Sequence, residues 1–431
     1  MRKIYKYSTS ITSQLGFCAT PLRLDSYNNC QFSCGYCFAR TRAGFGRDEK
    51  LQLSNPEALK KRMERVSKGI INSALDEFIS KRIPFQLGGM SDPFSPIEAK
   101  EKRTLQYIRI LNEYDYPFII STKSNMAGTI EYSAALSEAN VYVRFSTTVV
   151  DEISRSSLDK GCASISQISY AAERLSSLGV PVSFRFQPII PGHEHNATKL
   201  ISVARDSGVR HISAEYLKVP LEANSKFSPE LIGLLGGNPV SIYMGLGSKK
   251  QGSEYSLPLS YRGRHLIAMN KQSKMSGMTF GFADNELLLH SDGNSCCSAS
   301  NLYLRDASFF NANIVSLAKK KQLGDKLYFS ELAGQWLPEH SLASYLNSKS
   351  RLKGIQDEPV KWLSYLRKIW LGEYGQYSPL FFDGISATGE TDHLGMPIYI
   401  RGYSDFQSQL ASDNINISHF HSDEAKLPQT V

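Results

Sequence analysis

The chain has 431 residues, of which 41% are hydrophobic and 21% charged, and its formal net charge is +8. This composition is that of a globular protein with room for two or three domains, and it excludes a disordered, collagen-like or disulfide-stapled small protein. No apolar run is long enough for a membrane span, and the polar, basic start of the chain lacks the apolar core of a secretion signal. We therefore expect a cytoplasmic protein whose mild positive charge permits a nucleic-acid partner without requiring one.

Short apolar strands alternate with amphipathic helices between residues 15 and 220, which is the pattern of a parallel α/β sheet. A first strand is predicted within residues 15–24, and further strands at 84–89, 117–122, 141–147, 182–190 and 210–216. Helices are predicted between them, at 55–81, 98–113, 130–139, 165–177 and 197–207. These units predict a partial (β/α)6 TIM-like barrel, short of the eight units of a closed barrel.

The remaining sequence divides the chain into further segments. Residues 1–14 are an N-terminal extension, 15–235 the α/β core, and the Gly- and Ser-containing residues 236–256 a predicted flexible linker. The aromatic-rich residues 257–410 predict an α+β region that covers the substrate side, and the polar residues 411–431 predict a flexible tail. Lys319 and the two lysines after it are predicted to lie on a solvated helix face.

Three of the seven cysteines stand close together, as Cys30, Cys34 and Cys37 of the segment CQFSCGYC. In a cytosolic chain with an odd number of cysteines, metal-binding or catalytic roles are favoured over disulfides. Three thiolates with no local fourth ligand would leave one iron of a [4Fe-4S] cluster open to a substrate or cofactor. The alternative is a structural zinc site with a distant histidine ligand such as His193, His195 or His290, although zinc sites usually pair their cysteines in CxxC units.

The Cys-x3-Cys-x2-Cys spacing resembles that of the radical S-adenosylmethionine (SAM) superfamily. The segments LDSYNN at 24–29, GGMSDPFSPIE at 88–98, TKS at 122–124 and PIIPG at 188–192 resemble its spore-photoproduct-lyase-like (DNA repair photolyase-like) branch. The similarity covers roughly residues 15–220. It implies an enzyme whose [4Fe-4S] cluster, reduced by a donor such as flavodoxin or ferredoxin, cleaves SAM reductively to a 5′-deoxyadenosyl radical that abstracts hydrogen from a substrate.

The resemblance also implies roles for individual residues. Cys30, Cys34 and Cys37 would ligate the cluster. The residues that would contact SAM are Tyr36 and Ile190 at the adenine, Gly88, Gly89 and Met90 at the amino group, and Lys123 and Ser146 at the carboxylate or ribose. Met90 stands where the superfamily has an acidic residue, so its contact with SAM would be made by the backbone.

The resemblance has one departure that bears on the substrate. The lesion-repair enzyme of this branch needs a further cysteine downstream of the cluster motif, whereas residues 38–150 contain none. Repair of spore photoproduct is therefore doubtful. A nucleic-acid substrate is slightly favoured by the resemblance and the charge; a peptide or small molecule, or a non-catalytic iron–sulfur or zinc binding protein, are the alternatives.

Two further sets of residues remain open to more than one interpretation. Cys296 and Cys297, in a polar loop, are candidate catalytic hydrogen-atom donors or covalent anchors, candidate ligands of a second cluster with Cys18 and Cys162, or unreactive cysteines. Arg144 and Arg185 lie within otherwise apolar strands. Because a buried arginine needs a partner, they either reach the cofactor or pair with structural carboxylates.

Overall fold

The computed structural model describes residues 4–37, 39, 50–342, 345, 362–373 and 377–412. Its strands, in chain order, are β1 (Thr9–Ile11), β2 (Leu22–Leu24), β3 (Ser33–Cys34), β4 (Phe85–Leu87), β5 (Phe118–Thr122), β6 (Val141–Val149), β7 (Asp159–Lys160), β8 (Val182–Ile189), β9 (His211–Tyr216), β10 (Val219–Pro220), β11 (Lys249–Gln251), β12 (Glu254–Ser256), β13 (Thr279–Phe282), β14 (Lys326–Leu327), β15 (Ile385–Thr391) and β16 (Pro397–Arg401). Its helices are α1 (Pro56–Ser67), α2 (Ala74–Ser80), α3 (Glu98–Glu101), α4 (Arg103–Glu113), α5 (Ile130–Ser137), α6 (Glu152–Leu158), α7 (Ile165–Ser177), α8 (Asn196–Asp206), α9 (Ala223–Lys226), α10 (Pro229–Leu235), α11 (Pro239–Gly245), α12 (Leu259–Met275), α13 (Ile314–Lys319), α14 (Phe329–Ala333), α15 (Trp362–Trp370) and α16 (Asp405–Ala411).

The centre of the molecule is an eight-stranded sheet in the order β1-β2-β4-β5-β6-β8-β9-β13. Strands β2 to β13 of this order are parallel, and β1 joins β2 antiparallel. The predicted parallel α/β core is confirmed, and each predicted strand lies where the sequence pattern indicates it. Strand β13 is an additional parallel strand that was not predicted. The fold is therefore mixed α/β with a largely parallel central sheet.

The two faces of this sheet differ in chemistry. One face is apolar and fully buried against the helices; it carries Leu22, Leu24, Phe85, Leu87, Phe118, Ile120, Val143, Phe145, Phe184, Phe186, Ile212 and Phe280. Because side chains alternate along a strand, the residues between these point to the opposite face, which we call the inner face. Parallel pairing brings the inner-face residues into register, as in Ser121 opposite Arg144 and Ser146 opposite Arg185.

The helices over the apolar face follow the predicted periodicity. Helix α7 buries Ile168, Ala171, Ala172 and Leu175, and a capping box between Ser164 and Gln167 fixes its start. The single helix predicted at 55–81 is instead divided into α1 and α2. Gly69, at a φ of 77°, follows the end of the first, and Ser73 accepts a hydrogen bond from the Asp76 amide to begin the second.

Residues 236–256 form regular structure, so the prediction of a flexible linker is wrong. Helix α11 buries Ile242 and Tyr243, and the Tyr243 hydroxyl donates to the Leu217 carbonyl at 2.6 Å. Strands β11 and β12 form a hairpin that pairs with β10. The predicted flexible tail, 411–431, lies outside the described residues from 413 onward.

The chain beyond residue 256 completes the central sheet and packs on it. Strand β13 pairs with β9, the Phe310 amide donates to the Ala19 carbonyl at 2.9 Å, and the Trp362 indole donates to the Ala312 carbonyl at 2.9 Å. Lys319 is half-buried and donates to the carbonyls of Ser291 and Gly293, so the predicted solvated position is wrong for this residue. Within the described segments, no helix combines the length and apolar character that crossing a membrane requires.

The contact between β13 and the segment that follows it gives a test of this arrangement. A Cβ on Gly281 would lie 1.9 Å from the Cys297 carbonyl oxygen. We expect Gly281→Ala to lower the free energy of unfolding by about 3 kcal/mol, since overpacking a tight core displaces backbone. Urea unfolding followed by circular dichroism measures this loss.

Gly233→Ala is the matched control. Gly233 lies in α10 with no atom within 4 Å of its added Cβ, so this variant should gain about 0.5–1 kcal/mol from helix propensity. Equal stability of the two variants would contradict the close packing of the 297 carbonyl against β13.

Candidate active site

A row of polar side chains opens the inner face of the sheet to solvent. In strands β2, β4, β5, β6, β8 and β9, the residues that are not buried all belong to the inner face. They are Arg23, Gln86, Ser121, Ser146, Arg185, Gln187 and Glu215. We call the space that these seven side chains line the chamber. Most of them lie toward the carboxyl ends of the strands, where parallel α/β proteins place their ligands.

The cysteine loop is fixed at the carboxyl edge of the sheet. It follows β2, and its strand β3 pairs with β7 so that Cys34 lies opposite Asp159. The Gly35 amide donates to the Leu158 carbonyl at 2.8 Å, and the Ser228 amide donates to the Gly35 carbonyl at 2.9 Å. A Cβ at position 35 would lie 2.4 Å from Ser228 Oγ, so a larger residue there would displace the hydroxyl that caps α10. The loop is therefore held from two directions.

Asp159 joins the cysteine loop to the rim of the chamber. Its carboxylate accepts a hydrogen bond from the Tyr36 hydroxyl, and another from Thr148 Oγ1 at 3.0 Å. Lys123 Nζ lies 3.4 Å from Asp159 Oδ1, and Arg155 Nε lies 3.8 Å from Oδ2. Lys123 and Thr148 occupy the next inner-face positions after Ser121 and Ser146. Tyr36 therefore sits at the mouth of the chamber.

The charge of Lys123 is maintained by its neighbours. Burial acts to lower the pKa of Lys123, but Asp159 and the thiols of Cys34 and Cys162 outweigh it, so the pKa is raised. Its ammonium group also lies 5.3 Å from the centre of the Tyr36 ring, within cation–π range. Lys123 thus presents a positive charge between the cysteine loop and the chamber.

Cys34 has an unpredicted neighbour. Its Sγ lies 3.8 Å from Cys162 Sγ, and with Cys162 as donor this hydrogen bond lowers the pKa of the Cys34 thiol and raises that of Cys162. Cys162 also lines a cavity of about 250 Å³, whose other walls are Phe32, Phe94, Pro96, Ser124, Asn125, Met126, Gly161, Ala163 and Gln167. A thiolate at Cys34 is the form that ligates metal.

Two ligand sets can be tested against these positions. The three loop cysteines supply the soft sulfur donors that a [4Fe-4S] cluster needs, and so their chemistry fits that group. Of the three, Cys34 lies close enough to the cationic Lys123 to raise the pKa of that lysine. Cys34, Asp159 and Cys162 form a second set, with ligand atoms within 4.8 Å of one another. Their sulfur separation suits a tetrahedral zinc ion with Zn–S bonds of about 2.3 Å. Among the described residues no histidine joins this set, and His290, a candidate zinc ligand, contacts Asp383 instead.

The Gly88–Met90 turn closes one side of the chamber. Gly88 has a φ of 88°, and a Cβ there would meet the Ser121 carbonyl oxygen at 2.2 Å, so the position requires glycine. Gly89 packs on Arg23. The Met90 amide donates to Asp25 Oδ1 at 3.1 Å, which leaves the carbonyl groups of the turn as the backbone groups available to a ligand.

The remaining predicted SAM contacts lie at different depths. Ser146 is half-exposed within the chamber, in register with Arg185. Ile190 directly follows β8 and is fully buried in the main core, so it presents no surface to a ligand in this structure.

Cys296 and Cys297 lie at the closed end of the inner face. Their segment covers the amino ends of the strands, where Tyr303 stacks on Tyr142 with ring centres 5.0 Å apart. Both thiols are near enough to Arg144 to raise its pKa, although burial lowers it overall. Cys162 lies beside Cys34 instead, so within the described structure the four cysteines outside the loop do not form a single ligand set, as a second cluster would need.

Two aspartates, the half-buried Asp92 and the buried Asp159, were missed by the sequence analysis. Asp92 accepts hydrogen bonds from the Lys123 amide and Thr122 Oγ1, each at 2.7 Å, and fixes the turn after β5. Asp92 belongs to the GGMSDPFSPIE segment at 88–98, so the sequence motif could have identified it as a site residue. Asp159 has no comparable local pattern, because its partners come from three distant parts of the chain.

Removing the Asp159 carboxylate tests its central position. Asp159→Asn would leave Lys123 and Arg155, both largely buried, without their shared counter-ion. We expect the free energy of unfolding to fall by about 3 kcal/mol, and less iron to be retained after reconstitution because the cysteine loop loses its anchor. Asp206→Asn, which removes an exposed carboxyl on α8, is the control and should change neither quantity.

The buried Asp25 predicts a pH dependence of stability. Burial raises its pKa from 3.8 to about 6, so the folded state binds this proton more tightly than the unfolded state. The wild type should therefore lose about 2 kcal/mol through this group as the pH rises from 4 to 7. The free energy of unfolding of Asp25→Asn minus that of the wild type should be larger at pH 7 than at pH 4. Urea unfolding of both proteins at both pH values measures this difference. A constant difference would contradict the assignment.

Comparison with known proteins gives matches among solved structures only. No protein-family model matches the sequence, and neither does any curated protein. Spore photoproduct lyase complexed with dinucleoside spore photoproduct matches with a TM-score of 0.46 and 15% identity, over 63% of this chain and 77% of that one. A mutant of that lyase with bound AdoMet and the dinucleoside matches with a TM-score of 0.44 and 15% identity, over 61% and 76% of the two chains. Streptococcus suis SuiB bound to S-adenosylmethionine matches with a TM-score of 0.36 and 13% identity, over 50% of this chain and 45% of that one.

Proposed function

We propose that the chain is a radical SAM enzyme in which Cys30, Cys34 and Cys37 hold a [4Fe-4S] cluster. The observation that carries this proposal is the position of the three-cysteine loop, fixed at the carboxyl edge of a parallel sheet above an open polar chamber. When bound, the cluster would supply the electron that cleaves SAM to a 5′-deoxyadenosyl radical able to abstract hydrogen from a substrate. The reductant would be a flavodoxin or ferredoxin, and the protein would work in the cytoplasm.

The rim of the chamber would bind the polar end of SAM. Lys123, kept cationic by Asp159, and Ser146 would hold its carboxylate or ribose. The carbonyl groups of Gly88, Gly89 and Met90 would accept hydrogen bonds from its amino group. That geometry agrees with the use of the Met90 amide by Asp25.

The adenine would lie beside the Tyr36 ring. The hydrogen bond that the Tyr36 hydroxyl donates to Asp159, with Thr148 Oγ1 next to both groups, fixes the ring at the mouth of the chamber. Ile190, now in the core, would pack near the adenine only after a local shift. Of the proposed SAM contacts, it is the one with least support.

The finer fold assignment follows from the same site. We propose residues 15–235 as a partial (β/α)6 barrel of radical SAM type, lengthened by β13, and residues 257–410 as the part that closes its lower end. The segment carrying Cys296 and Cys297 would exclude water from the floor of the chamber, where a radical must be shielded. Both cysteines would then be placed to donate a hydrogen atom to a substrate radical.

Two classes of substrate are proposed. A nucleic acid is slightly favoured by the motif resemblance and the charge of +8, and a peptide or small molecule is the alternative. Since residues 38–150 contain no cysteine, we do not propose repair of spore photoproduct.

A second candidate function has its own observation. The 3.8 Å separation of the Cys34 and Cys162 sulfurs, with Asp159 close by, favours a mononuclear zinc site. A chain that holds zinc there would be a binding or structural protein without turnover of SAM. The two functions share Cys34 but differ in their other cysteines, Cys37 serving only the cluster and Cys162 only the zinc ion, and this makes them separable by mutation.

The test compares Cys37→Ala with Cys162→Ala. Each protein is purified without oxygen and reconstituted with iron and sulfide; its iron and zinc contents are measured, and it is then assayed with dithionite and SAM for 5′-deoxyadenosine. We expect near four irons per chain and 5′-deoxyadenosine from wild type and Cys162→Ala, and neither from Cys37→Ala, which removes only a loop ligand.

The opposite pattern identifies the zinc protein. Zinc bound by wild type and Cys37→Ala, lost from Cys162→Ala, with no cluster formed in any of them, would overturn the radical SAM assignment. A full cluster without SAM cleavage would be followed by the same assay with single-stranded DNA, RNA and peptide mixtures added, and continued absence of 5′-deoxyadenosine would count against the enzyme.

A further inference from the structure

A buried arginine at the floor of the chamber lacks an acidic partner. Arg144 is 3% exposed. Its hydrogen bonds go to neutral groups, from Nη2 to Ser121 Oγ at 2.8 Å and to Gln86 Oε1 at 3.1 Å, and from Nε to Ser121 Oγ at 3.1 Å. In the described part of the chain no carboxylate forms an ion pair with it. A buried guanidinium without a counter-ion is costly, which indicates a missing anion.

A second arginine adds to the positive charge. Arg185 Nη2 lies 3.2 Å from Glu215 Oε2, but Glu215 is shared with Lys218 at 2.9 Å and with Gln187 at 2.5 Å. The Nε of Arg185 is buried and has no hydrogen-bond partner among the described residues. Arg185 is also close enough to Arg144 to lower its pKa, after the larger effect of burial.

The charges linked to these two arginines balance only over a wider group. Lys218 also faces Asp284 and Glu254, and Arg262 pairs with Asp284 and Glu286. The four cations of this group are thus matched by four carboxylates, but among the described residues none of these carboxylates forms an ion pair with Arg144. The remaining groups near Arg144 are the Tyr142 hydroxyl and the thiols of Cys296 and Cys297. The hydrogen bond from Cys297 lowers the pKa of the Cys296 thiol, so a Cys296 thiolate is the competing counter-ion.

We propose that Arg144 and Arg185 bind an oxyanion group of the substrate, either a phosphate or a carboxylate. Guanidinium donors match both groups in planar geometry. Among the described residues, Arg144 Nη1 and Arg185 Nε have no hydrogen-bond partner. This inference rests on the proposed function, because it assigns the floor of the same chamber.

The depth of Arg144 separates this anion from SAM. Arg144 precedes Ser146 by two residues on β6, so it lies about 6.6 Å further from the carboxyl edge at about 3.3 Å per residue. The proposed SAM ligands Lys123 and Ser146 lie above it. An anion held at Arg144 would thus belong to a molecule deeper in the chamber than the SAM carboxylate.

The test is a titration of the reconstituted protein with inorganic phosphate and with acetate, at constant ionic strength, by isothermal calorimetry. Arg185→Gln should weaken saturable binding by about 10- to 100-fold, the loss expected for a charge-assisted hydrogen bond. Arg144→Lys keeps the positive charge but loses the paired donors of the planar guanidinium group, and it should weaken anion binding by about tenfold. Arg205→Gln, an exposed arginine on α8 paired with Asp206, is the control and should bind as wild type. The tighter of the two probes identifies the substrate group as phosphate or carboxylate.

Three results would overturn the proposal. One is the absence of saturable binding of either anion to wild type. Another is a loss of SAM affinity in Arg144→Lys that is as large as its loss of anion affinity, which would make the anion the SAM carboxylate. The last is anion binding that appears only in Cys296→Ser or Cys297→Ser, which would make a thiolate the counter-ion. Because the titration requires no SAM cleavage, an inactive protein that still binds the anion would count against the proposed function alone.

Discussion

The buried carboxylate of Asp159 connects the parts on which the candidate site depends. It contacts Tyr36 from the cysteine loop, Lys123 from the end of β5 and Arg155 from α6, and it pairs through the backbone with Cys34. The buried carboxylate is neutralised by two cations and lies against two hydroxyl groups. Removing any one member of this network would leave another buried polar or charged group without its partner, which costs free energy. The position of the cysteine loop relative to the sheet therefore follows from electrostatics as well as from packing.

The parallel register supplies the second constraint. Most strands of the central sheet alternate, over part of their length, between apolar and polar side chains, and the strands are in register, so the polar residues collect on one face. Helices cover the apolar face, which leaves the polar face to be covered by chain from beyond the core. The segment around Cys297 and Tyr303 does this at the amino ends of the strands, so the chamber is open toward the cysteine loop.

Local patterns in the sequence were sufficient for the strands and most helices of the core, because the core is built from short apolar strands and amphipathic helices. The polar face was also encoded, in the alternation of Tyr142, Arg144 and Ser146, but these strands were interpreted as apolar runs. Strand β13 was missed because its four residues lie in a region without clear periodicity. The approach of Cys162 to Cys34 spans 128 residues and has no local signature, so only the folded chain brings them together.

The contacts of Asp159 also bear on which metal group suits the loop. A carboxylate has about four lone-pair sites, and those of Asp159 already face Tyr36, Thr148, Lys123 and Arg155. A zinc ion bound by Cys34, Asp159 and Cys162 would displace some of these donors and weaken the anchor of the loop. A [4Fe-4S] cluster on the three loop cysteines leaves them all in place. Its 2+ core with three thiolates would carry about one negative charge, which Lys123 is positioned to balance. Of the two proposed metal groups, the cluster is therefore the one that would keep the buried network intact.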